Sequence, residues 1–461
     1  MTRLLPILAL LTLTACYDDE TTHRSDTGPV PATEQTSGDS EKGREALLNA
    51  PYVSCGIPYD AYTRLAPDAP PAPLAGRMGR NADLPYAATL VTNDEGIEVV
   101  ASNCLTCHAA EIEGELIIGL GNEFADFTQD PRRLALRAGT YVTGEAETRA
   151  WQTWADRIEG IAPYIQTKTV GVNPATNLTW ALMTHLDPET LTWSQTPLID
   201  PPPADPLPIS VPPWWTMSKK NAMFYTTIAR GDHARYMLLA SMLCIDGTDD
   251  VAEITAYAPD IRAYINALEA PEWPWDIDAE LAARGEEIYH RDCRACHGTY
   301  RLVESYPNLV IPLAEIGTDP AYATEQTNGD RDRFYDWVER SPYGNEYSAA
   351  PAPGYIAPPL DGVWATAPYL HNGAVPSMEA LLDSRLRPQF WRHAAPRDYD
   401  RAAMGWRFEA LDAGQDAEPD PALRRRIYDT TLRGYGNAGH TFSDDLSDAD
   451  RTALIEYLKT L

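Results

Sequence analysis

The chain has 461 residues, enough for two or three domains of ordinary size, and 44% of them are hydrophobic, which allows a sizeable buried core. Its formal net charge is −30 and its sequence pI is about 4.6. We expect no nucleic-acid partner, because binding phosphates requires clustered Lys and Arg. The acidic surface suits solubility and a basic protein partner.

The chain begins MTRLLPILALLTLTAC, in which Arg3 precedes a short apolar run and small residues lead to Cys16. This pattern is typical of a secretion signal, and the run is too short to span a bilayer as a mature helix. The ending Leu13-Thr14-Ala15-Cys16 resembles a bacterial lipobox, which implies cleavage before Cys16 and a lipid anchor on its thiol. We therefore expect an exported lipoprotein that faces the periplasm or the cell surface. An ordinary secreted protein is the alternative.

Three later segments lack the periodicity of a folded domain. Residues 17–45 are rich in Thr, Ser, Asp, Glu and Gly, a composition typical of a flexible tether. Residues 46–94 contain tyrosines and many prolines and predict an irregular wrapping segment. Residues 196–213, TPLIDPPPADPLPISVPP, are too proline-dense for a helix or a central strand and predict an extended connector.

The pattern C-x-x-C-H occurs twice, within NCLTCHAAE at residues 103–111 and DCRACHGTY at residues 292–300. It is the attachment signature of c-type haem, since two thiols one helical turn apart reach the two porphyrin vinyl groups and the next histidine ligates iron. A zinc site would need further Cys or His pairs nearby, and a redox-active thiol pair needs no histidine. The repeated motif therefore predicts two covalently bound haem c groups. Their attachment residues are Cys104, Cys107, His108, Cys293, Cys296 and His297.

Two cysteines, Cys55 and Cys244, lie outside both motifs and the lipobox. Export permits a disulfide bond between them. Two buried free thiols are the alternative.

The last residues, LSDADRTALIEYLKTL, predict a strong C-terminal helix. Ser447 can cap its N-terminus, with Asp450 three residues further on. One apolar stripe follows at i, i+3, i+4 and i+7 spacing and comprises Leu454, Tyr457, Leu458 and Leu461.

The two motifs are preceded by similar stretches. Gly96 and Gly285 each lie eight residues before the first cysteine of a motif, followed by the helix-compatible stretches GIEVVASN and GEEIYHRD. The second stretch resembles a cytochrome c domain, in which a glycine and an aromatic residue of the first helix pack against the last helix. The resemblance implies that Gly285 and Tyr289 pack against Leu454 and Tyr457. Glycine suits this contact because it lets two backbones approach closely.

These patterns predict a mainly α fold with little strand, in which two cytochrome c-like haem domains are joined by a Pro-rich connector and a helical segment. The predicted segments are a signal peptide (1–15), a disordered tether (16–45), a wrapping segment (46–94), a first haem domain (95–195), the connector (196–213), a helical inter-haem segment (214–277) and a second haem domain (278–461).

The sixth ligand of each iron decides its function, since an iron with two protein ligands moves electrons and an open iron binds O₂ or peroxide. For the second haem we favour His440, in the glycine-rich stretch GNAGHTFSDDL before the C-terminal helix. The other candidates for that iron are His371, Met378, His393 and Met404. For the first iron an open or water-bound site stays among the alternatives. Its candidate ligands are Met183, His185, Met217, Met223 and His233.

Residues 358–382, PPLDGVWATAPYLHNGAVPSMEALL, resemble the diheme peroxidase superfamily, whose second haem domain carries a similar T-A-P-Y-x-H-x-G loop. Residues 212–235, PPWWTMSKKNAMFYTTIARGDHAR, the RPQFW after the loop and the closing NAGHTF resemble the rubber-oxygenase group of diheme cytochromes. The resemblance covers roughly residues 95–461, with long unmatched gaps.

The resemblance implies different roles for the two haems. The N-terminal haem, on His108, would be the active one, with dioxygen or an open site opposite the histidine. The C-terminal haem, on His297 and His440, would be six-coordinate and relay electrons.

The resemblance also implies a tryptophan between the haems and a phenylalanine over the active iron. By motif position these match Trp214 or Trp215 and Phe224 or Tyr225. We select Trp215 and Phe224 as the candidate catalytic residues. Core packing is the alternative role for these side chains.

The chain departs from its relatives in two respects. Peroxidases place a methionine ligand in the helix after the loop, whereas EALLDSRLR here contains no methionine, which favours His440. Rubber oxygenases are longer secreted proteins without a lipobox, so the expected anchor weighs against polyisoprene as the substrate.

Two hypotheses for the function follow. The first is an exported diheme c-type cytochrome, an oxygenase or peroxidase, that acts on O₂ or peroxide at the N-terminal haem. The second is a membrane-anchored periplasmic electron-transfer cytochrome with a basic redox partner and no substrate chemistry. A non-catalytic subunit of a larger assembly is a third.

Overall fold

The computed structural model describes residues 28–67, 74–301, 303–344 and 347–461. The predicted signal peptide, the lipobox and Cys16 lie outside these ranges. None of the described helices has both the length and the apolar character needed to cross a membrane.

Short and medium α-helices follow one another along the whole described chain. They are α1 (Ser40–Asn49), α2 (Tyr59–Leu65), α3 (Leu105–His108), α4 (Pro131–Gly139), α5 (Glu145–Ile161), α6 (Ala175–His185), α7 (His233–Met237), α8 (Thr248–Thr255), α9 (Ala258–Asn266), α10 (Ala279–Asp292), α11 (Arg294–His297), α12 (Leu313–Ile316), α13 (Ala321–Gln326), α14 (Asp332–Arg340), α15 (Met378–Leu382), α16 (Pro421–Arg424) and α17 (Asp448–Leu458).

Strands two to five residues long alternate with these helices. They are β1 (Ile57–Pro58), β2 (Ala88–Thr92), β3 (Glu98–Ser102), β4 (Ala109–Ile112), β5 (Glu115–Ile118), β6 (Ala229–Gly231), β7 (Val310–Pro312), β8 (Tyr347–Ala349), β9 (Gly354–Ile356), β10 (Phe390–His393), β11 (Tyr399–Asp400), β12 (Gly405–Trp406), β13 (Phe408–Ala410) and β14 (Tyr428–Asp429). The pairings between these strands are antiparallel and form the three-stranded sheets β1-β3-β2 and β13-β10-β14 and the pairs β4-β5, β6-β8, β7-β9 and β11-β12.

The prediction of a mainly α fold is wrong. Helices account for 41% of the residues and strands for 13%, so the fold is mixed α and β with many small sheets. The strands are too short to show the alternation of apolar and polar residues that marks a strand in a sequence. The stretch GIEVVASN before the first motif was predicted to be helix-compatible, but most of it forms β3, where the β-branched Val99 and Val100 are buried.

The helical frame of the second motif is confirmed. Helices α10 and α17 cross so closely that a Cβ on Gly285 would lie 1.9 Å from the carbonyl oxygen of Ala453. The ring centroids of Tyr289 and Tyr457 are 5.1 Å apart at the same crossing. The side chain of Ser447 caps α17 by accepting a hydrogen bond from the backbone N–H of Asp450 at 3.2 Å.

The N-terminal segments pack onto the rest of the chain. Helix α1 begins at Ser40, so the predicted tether is shorter than residues 16–45. A Cβ on Gly43 would lie 1.8 Å from the carbonyl oxygen of Asp260, which shows how closely α1 approaches α9. Strand β2 lies before the predicted boundary at residue 94 and β3 lies after it, so the wrapping segment and the first motif's region share one sheet.

The predicted disulfide between Cys55 and Cys244 is confirmed, with the two Cα atoms 5.3 Å apart. The bond joins the wrapping segment to the residues before α8, positions 189 residues apart in the chain. It therefore ties the N-terminal part of the fold to the helical inter-haem segment.

Two large hydrophobic clusters form the core, and each draws on both halves of the chain. The first contains Leu105 of the N-terminal motif together with Phe334 of α14. The second contains Tyr289 of α10 together with Ile112 of β4. The two halves are therefore packed into one another rather than folded as separate units.

Candidate functional site

The two C-x-x-C-H motifs adopt the same backbone turn. In α3 the backbone N–H of His108 donates to the carbonyl of Cys104 at 3.1 Å. In α11 the N–H of His297 donates to the carbonyl of Cys293 at 3.0 Å. Because one helical turn separates the residues of each bond, both motifs place the two thiols and the imidazole at positions suited to one porphyrin.

A large cavity of about 670 Å³ opens beside the second motif. Its lining includes Cys293, Cys296, His297 and His440, with mainly apolar side chains around them. The volume lies within the range typical of cofactor and small-molecule sites.

His297 and His440 face each other across this cavity. Their ring centroids are 6.2 Å apart and the ring planes are inclined at 58°. Both rings line the cavity that the two thiols of the motif also line, so the two histidines and the two cysteines could hold one haem between them. The residues of the second motif therefore fit a haem iron ligated by both histidines.

Backbone contacts orient both imidazoles. The Nδ1 of His297 lies 2.8 Å from the carbonyl oxygen of Pro358, the partner that fixes ring orientation in many metal-ligating histidines. The backbone N–H of His440 donates to Ile316 at 2.7 Å. The guanidinium of Arg387 donates to the carbonyl of His440 at 3.2 Å and to other carbonyls of the same loop. His440 is thus held in the left-handed region at φ 47°.

The protonation states of these groups suit haem ligation. Burial lowers the pKa of His297 and lowers that of His440 to about 4, so both rings are neutral and present a lone pair at neutral pH. Burial raises the pKa of Cys107 to about 11 and that of Cys293 to about 12, the reverse of a reactive thiolate. Across the described ranges, no group of three or more His, Cys, Asp or Glu side chains is arranged to hold a metal ion.

The first motif has different surroundings. The ring of His108 stacks on Trp214, with centroids 4.5 Å apart and planes inclined at 18°. Its Nδ1 is buried without a hydrogen-bond partner, and burial lowers its pKa to about 3. Gly119 connects the pair, since its N–H donates to the carbonyl of His108 and its carbonyl accepts from the N–H of Trp214, each at 2.8 Å. The first motif therefore offers two thiols and a neutral imidazole, without the carbonyl partner that orients His297.

The predicted sixth ligands of the first iron have other neighbours. His185 stacks on Trp193 at 4.9 Å, and its Nδ1 lies 2.8 Å from the carbonyl oxygen of Ser194. Burial, followed by the charge of Lys220, lowers the pKa of His233 to about 4. Within the described residues, the ring of His108 stacks on Trp214, and no ring contact joins it to another histidine.

Two of the four alternative ligands of the second iron line the cavity, and two do not. His371 and Met378 line it, and His371 stacks on Tyr355 with centroids 4.0 Å apart. Met404 is fully buried in the second core cluster. His393 lies among aromatic rings, 5.0 Å from Phe124.

Trp215 lies between the two motifs. It directly follows Trp214, which stacks on His108, and its indole N–H donates to the carbonyl of Asp361 at 2.8 Å. Asp361 lines the C-terminal cavity. The Trp214-Trp215 pair therefore connects the first motif to the wall of the second site.

Phe224, the other candidate catalytic residue, has an unusual backbone. Its φ is 66°, in the left-handed region that bulky residues rarely adopt and that often marks functional sites. Its half-buried ring packs edge-on against Tyr236, with centroids 5.0 Å apart. No described contact places this ring against His108, and its role over an iron stays a prediction.

The sequence gives no local signal for the residues that contact the two histidines of the C-terminal site. The carbonyl of Pro358 and the guanidinium of Arg387 orient the two histidines, and neither has a recognisable motif. The PYLHNG loop was a usable signal for His371, which does line the cavity.

Comparison with known proteins identifies one region of the chain. Residues 354–392 match a family described as RoxA-like, cytochrome c-like. The matched region includes Tyr355, Pro358 and His371 of the C-terminal cavity.

Two curated relatives, both from Sinorhizobium fredii, carry the names uncharacterized protein y4iM and uncharacterized protein y4iJ. The first is 31% identical over 43% of this chain and 53% of its own length, and the second is 29% identical over 49% and 47%. The chain therefore spans about half the length of these relatives. Residues 354–392 are therefore similar to a RoxA-like, cytochrome c-like domain, which suggests a c-type cytochrome.

Proposed function

We propose that the protein is an exported diheme c-type cytochrome whose C-terminal haem relays electrons and whose N-terminal haem acts on O₂ or peroxide. The observation that carries the proposal is the pair His297 and His440, 6.2 Å apart across one cavity. When bound, haem supplies an iron that cycles between the ferrous and ferric states.

The C-terminal site is suited to electron transfer. Two neutral imidazoles would fill both axial positions and leave no iron position for O₂. The Pro358 carbonyl contacts the ring of His297, and the Arg387 guanidinium holds the backbone of the loop that carries His440, which would keep the rearrangement between oxidation states small.

The N-terminal site supports the part of the proposal that concerns substrate. His108 has Trp214 on its ring face, and the contacts of the described residues bring no second histidine to it. An iron ligated there would keep one position for a small molecule. The Trp214-Trp215 pair would connect it to the C-terminal site.

A dedicated electron carrier is the second candidate function. It needs only the His297–His440 centre, and a net charge of −30 would steer a basic redox partner to the surface. In either case we propose a lipid anchor on Cys16 that holds the protein at the periplasmic face or the cell surface.

The two candidate functions differ in whether one of the irons binds carbon monoxide. The experiment compares absorption and EPR spectra of the full-length, haem-loaded protein before and after CO is added to the reduced form. The proposal predicts two haems per chain, one low-spin and indifferent to CO, and one high-spin that binds CO. Two low-spin haems that ignore CO would leave the electron carrier. A single haem per chain would contradict both candidate functions, because each predicts two haems per chain.

A further inference from the structure

The residues that line the C-terminal cavity form two groups with different surroundings. Around the thiols the wall is open to solvent, with Arg291 and Asp292 exposed and Phe442 43% exposed. Most of the remaining lining is apolar, but it includes four buried residues with polar groups, which we call the inner polar wall: Ser210, Thr318, Tyr355 and His371.

Contacts hold the inner polar wall together as one cluster. The N–H of Ser210 donates to the carbonyl of His371 at 2.8 Å. The ring of His371 stacks on Tyr355, and the hydroxyl of Tyr355 donates to the carbonyl of Asp319, next to Thr318, at 2.7 Å. A polar cluster of this kind is built into the fold on a different part of the cavity surface from the thiols.

The wall contains hydrogen-bonding groups without a protein partner. The Nε2 of His371 and the Oγ1 of Thr318 are both buried and unpartnered, in residues that are 6% and 5% exposed. Buried polar atoms nearly always have a partner in folded proteins. A ligand bound in the cavity would supply a partner for both groups.

Lys220 adds a positive charge to the same cavity. Its neighbour Lys219 pairs with Asp361 at 2.7 Å and with Glu304 at 3.3 Å. No carboxylate within ion-pair distance of Lys220 is found in the described part of the chain, and burial alone lowers its pKa to about 8. The ammonium is therefore mostly charged at neutral pH, in a setting where an unpaired charge is costly.

The geometry points to a binding site for haem carboxylate, and we propose that Lys220, with Thr318 and His371, binds a propionate of the C-terminal haem. This inference rests on the proposed attachment of haem to Cys293 and Cys296. The two propionates lie on the porphyrin edge away from the carbons that form thioethers, so they would extend toward wall residues other than the thiols. A carboxylate there would pair with the ammonium and accept hydrogen bonds from the hydroxyl and from the Nε2–H tautomer of His371.

The expected consequence is a change in redox midpoint potential. A half-buried cation beside the haem favours the reduced form, which carries one negative charge more than the oxidised form. Lys220→Met keeps the apolar stem and removes the charge, so the midpoint of the low-spin haem should become more negative. Lys220→Arg keeps the charge and should restore a value near that of the wild type. If the methionine variant does not fold, Lys220→Gln serves the same purpose.

The test is an optical redox titration of the full-length, haem-loaded protein at one pH, with resonance Raman spectra of the propionate bending mode. Lys168→Gln is the matched control, because Lys168 pairs with Asp205 at 3.0 Å outside the cavity lining, and it should change neither readout. A wild-type midpoint and an unshifted propionate band in folded Lys220→Met would overturn the proposal. So would a midpoint that depends on sulfate concentration in the wild type and not in the variant, since Lys220 would then bind solution anions.

Mass spectrometry of the peptide that contains Cys293 and Cys296 separates this inference from the proposed function. A peptide without covalent haem overturns both. A haem-bearing peptide with no effect of Lys220→Met overturns the propionate contact alone.

Discussion

At the scale of single residues, the proposed function makes His440 the residue that would decide what the C-terminal iron can do. Its imidazole is the group placed opposite His297, and His440→Ala would open that axial position. We predict that the variant's second haem becomes high-spin and binds CO, which raises CO uptake from about one to about two molecules per chain. Spectrophotometric CO titration of the reduced protein measures this.

His393→Ala is the control for that change. His393 is another buried histidine, but it lies against Phe124 and does not line the cavity. Its replacement should leave CO uptake at the wild-type value. A His440→Ala protein that stays low-spin would mean that another side chain ligates this iron.

Glu123 gives a prediction about pH and stability. Its carboxyl is buried, accepts a hydrogen bond from the Ser210 hydroxyl at 3.1 Å and lies near Tyr225, and burial raises its pKa to about 8. The folded state therefore keeps a proton that the unfolded chain loses above its ordinary pKa of about 4.3. Stability should fall as pH rises between these values, by an amount of the order of a few kcal/mol from this group.

Glu123→Gln removes that titration. Thermal midpoints of the wild type and the variant, measured between pH 5 and pH 8, should diverge, with the wild type losing more stability as pH rises. Parallel profiles would show that Glu123 is ionised in the folded protein.

Single site residues could be predicted from the sequence where they belong to a local motif. The C-x-x-C-H motifs set out two thiols and an imidazole within five positions, and the glycine-rich loop singled out His440. The contacts of Pro358 and Arg387 could not be predicted, because a carbonyl and a guanidinium acquire them only when distant segments meet.

At the scale of secondary-structure elements, the crossing of α10 and α17 holds the second motif in position. A methyl group at Gly285 would clash with the backbone of Ala453, so Gly285→Ala must push the two helices apart. We predict a loss of about 1–3 kcal/mol in the free energy of unfolding, the usual cost of overpacking. Chemical denaturation measures the loss.

Gly329→Ala is the matched control for the crossing. A Cβ at Gly329 would meet only the flexible carboxylate of Asp332, at 3.7 Å. This variant should unfold close to the wild type. Equal stability of both variants would show that the two helices can separate without cost.

The Cys55–Cys244 disulfide is the second feature that holds secondary-structure elements together. Because it closes a loop across 189 positions, it restricts the unfolded chain strongly. The paired substitution Cys55→Ser and Cys244→Ser should lower the free energy of unfolding by about 2–5 kcal/mol and leave the haem spectrum unchanged. An unchanged thermal midpoint in the double variant would contradict this.

Secondary-structure elements could be predicted from the sequence where the pattern of apolar and capping residues was long. Helix α17 has a cap, an apolar stripe and a buried face, and each was visible in LSDADRTALIEYLKTL. Strand β3 was missed because five residues leave too little periodicity, and because its role depends on pairing with β1 and β2.

At the scale of the whole molecule, the two halves share their cores. Trp214 belongs to the first hydrophobic cluster and Trp215 to the second, so adjacent residues join the two sites. Such interleaving could not be predicted from a linear division of the chain, since it depends on contacts between residues more than 100 positions apart. It brings adjacent residues, Trp214 and Trp215, into contact with the cores around the two motifs.

The most direct test of the central claim is near-infrared magnetic circular dichroism of the oxidised, haem-loaded, full-length protein, because the position of the ligand-to-iron charge-transfer band distinguishes two axial histidines from histidine with methionine or water. We predict a bis-histidine band from one low-spin haem, which His440→Ala abolishes and His393→Ala preserves. A spectrum that contains only histidine–methionine or high-spin bands would contradict the assignment of His297 and His440 to one iron.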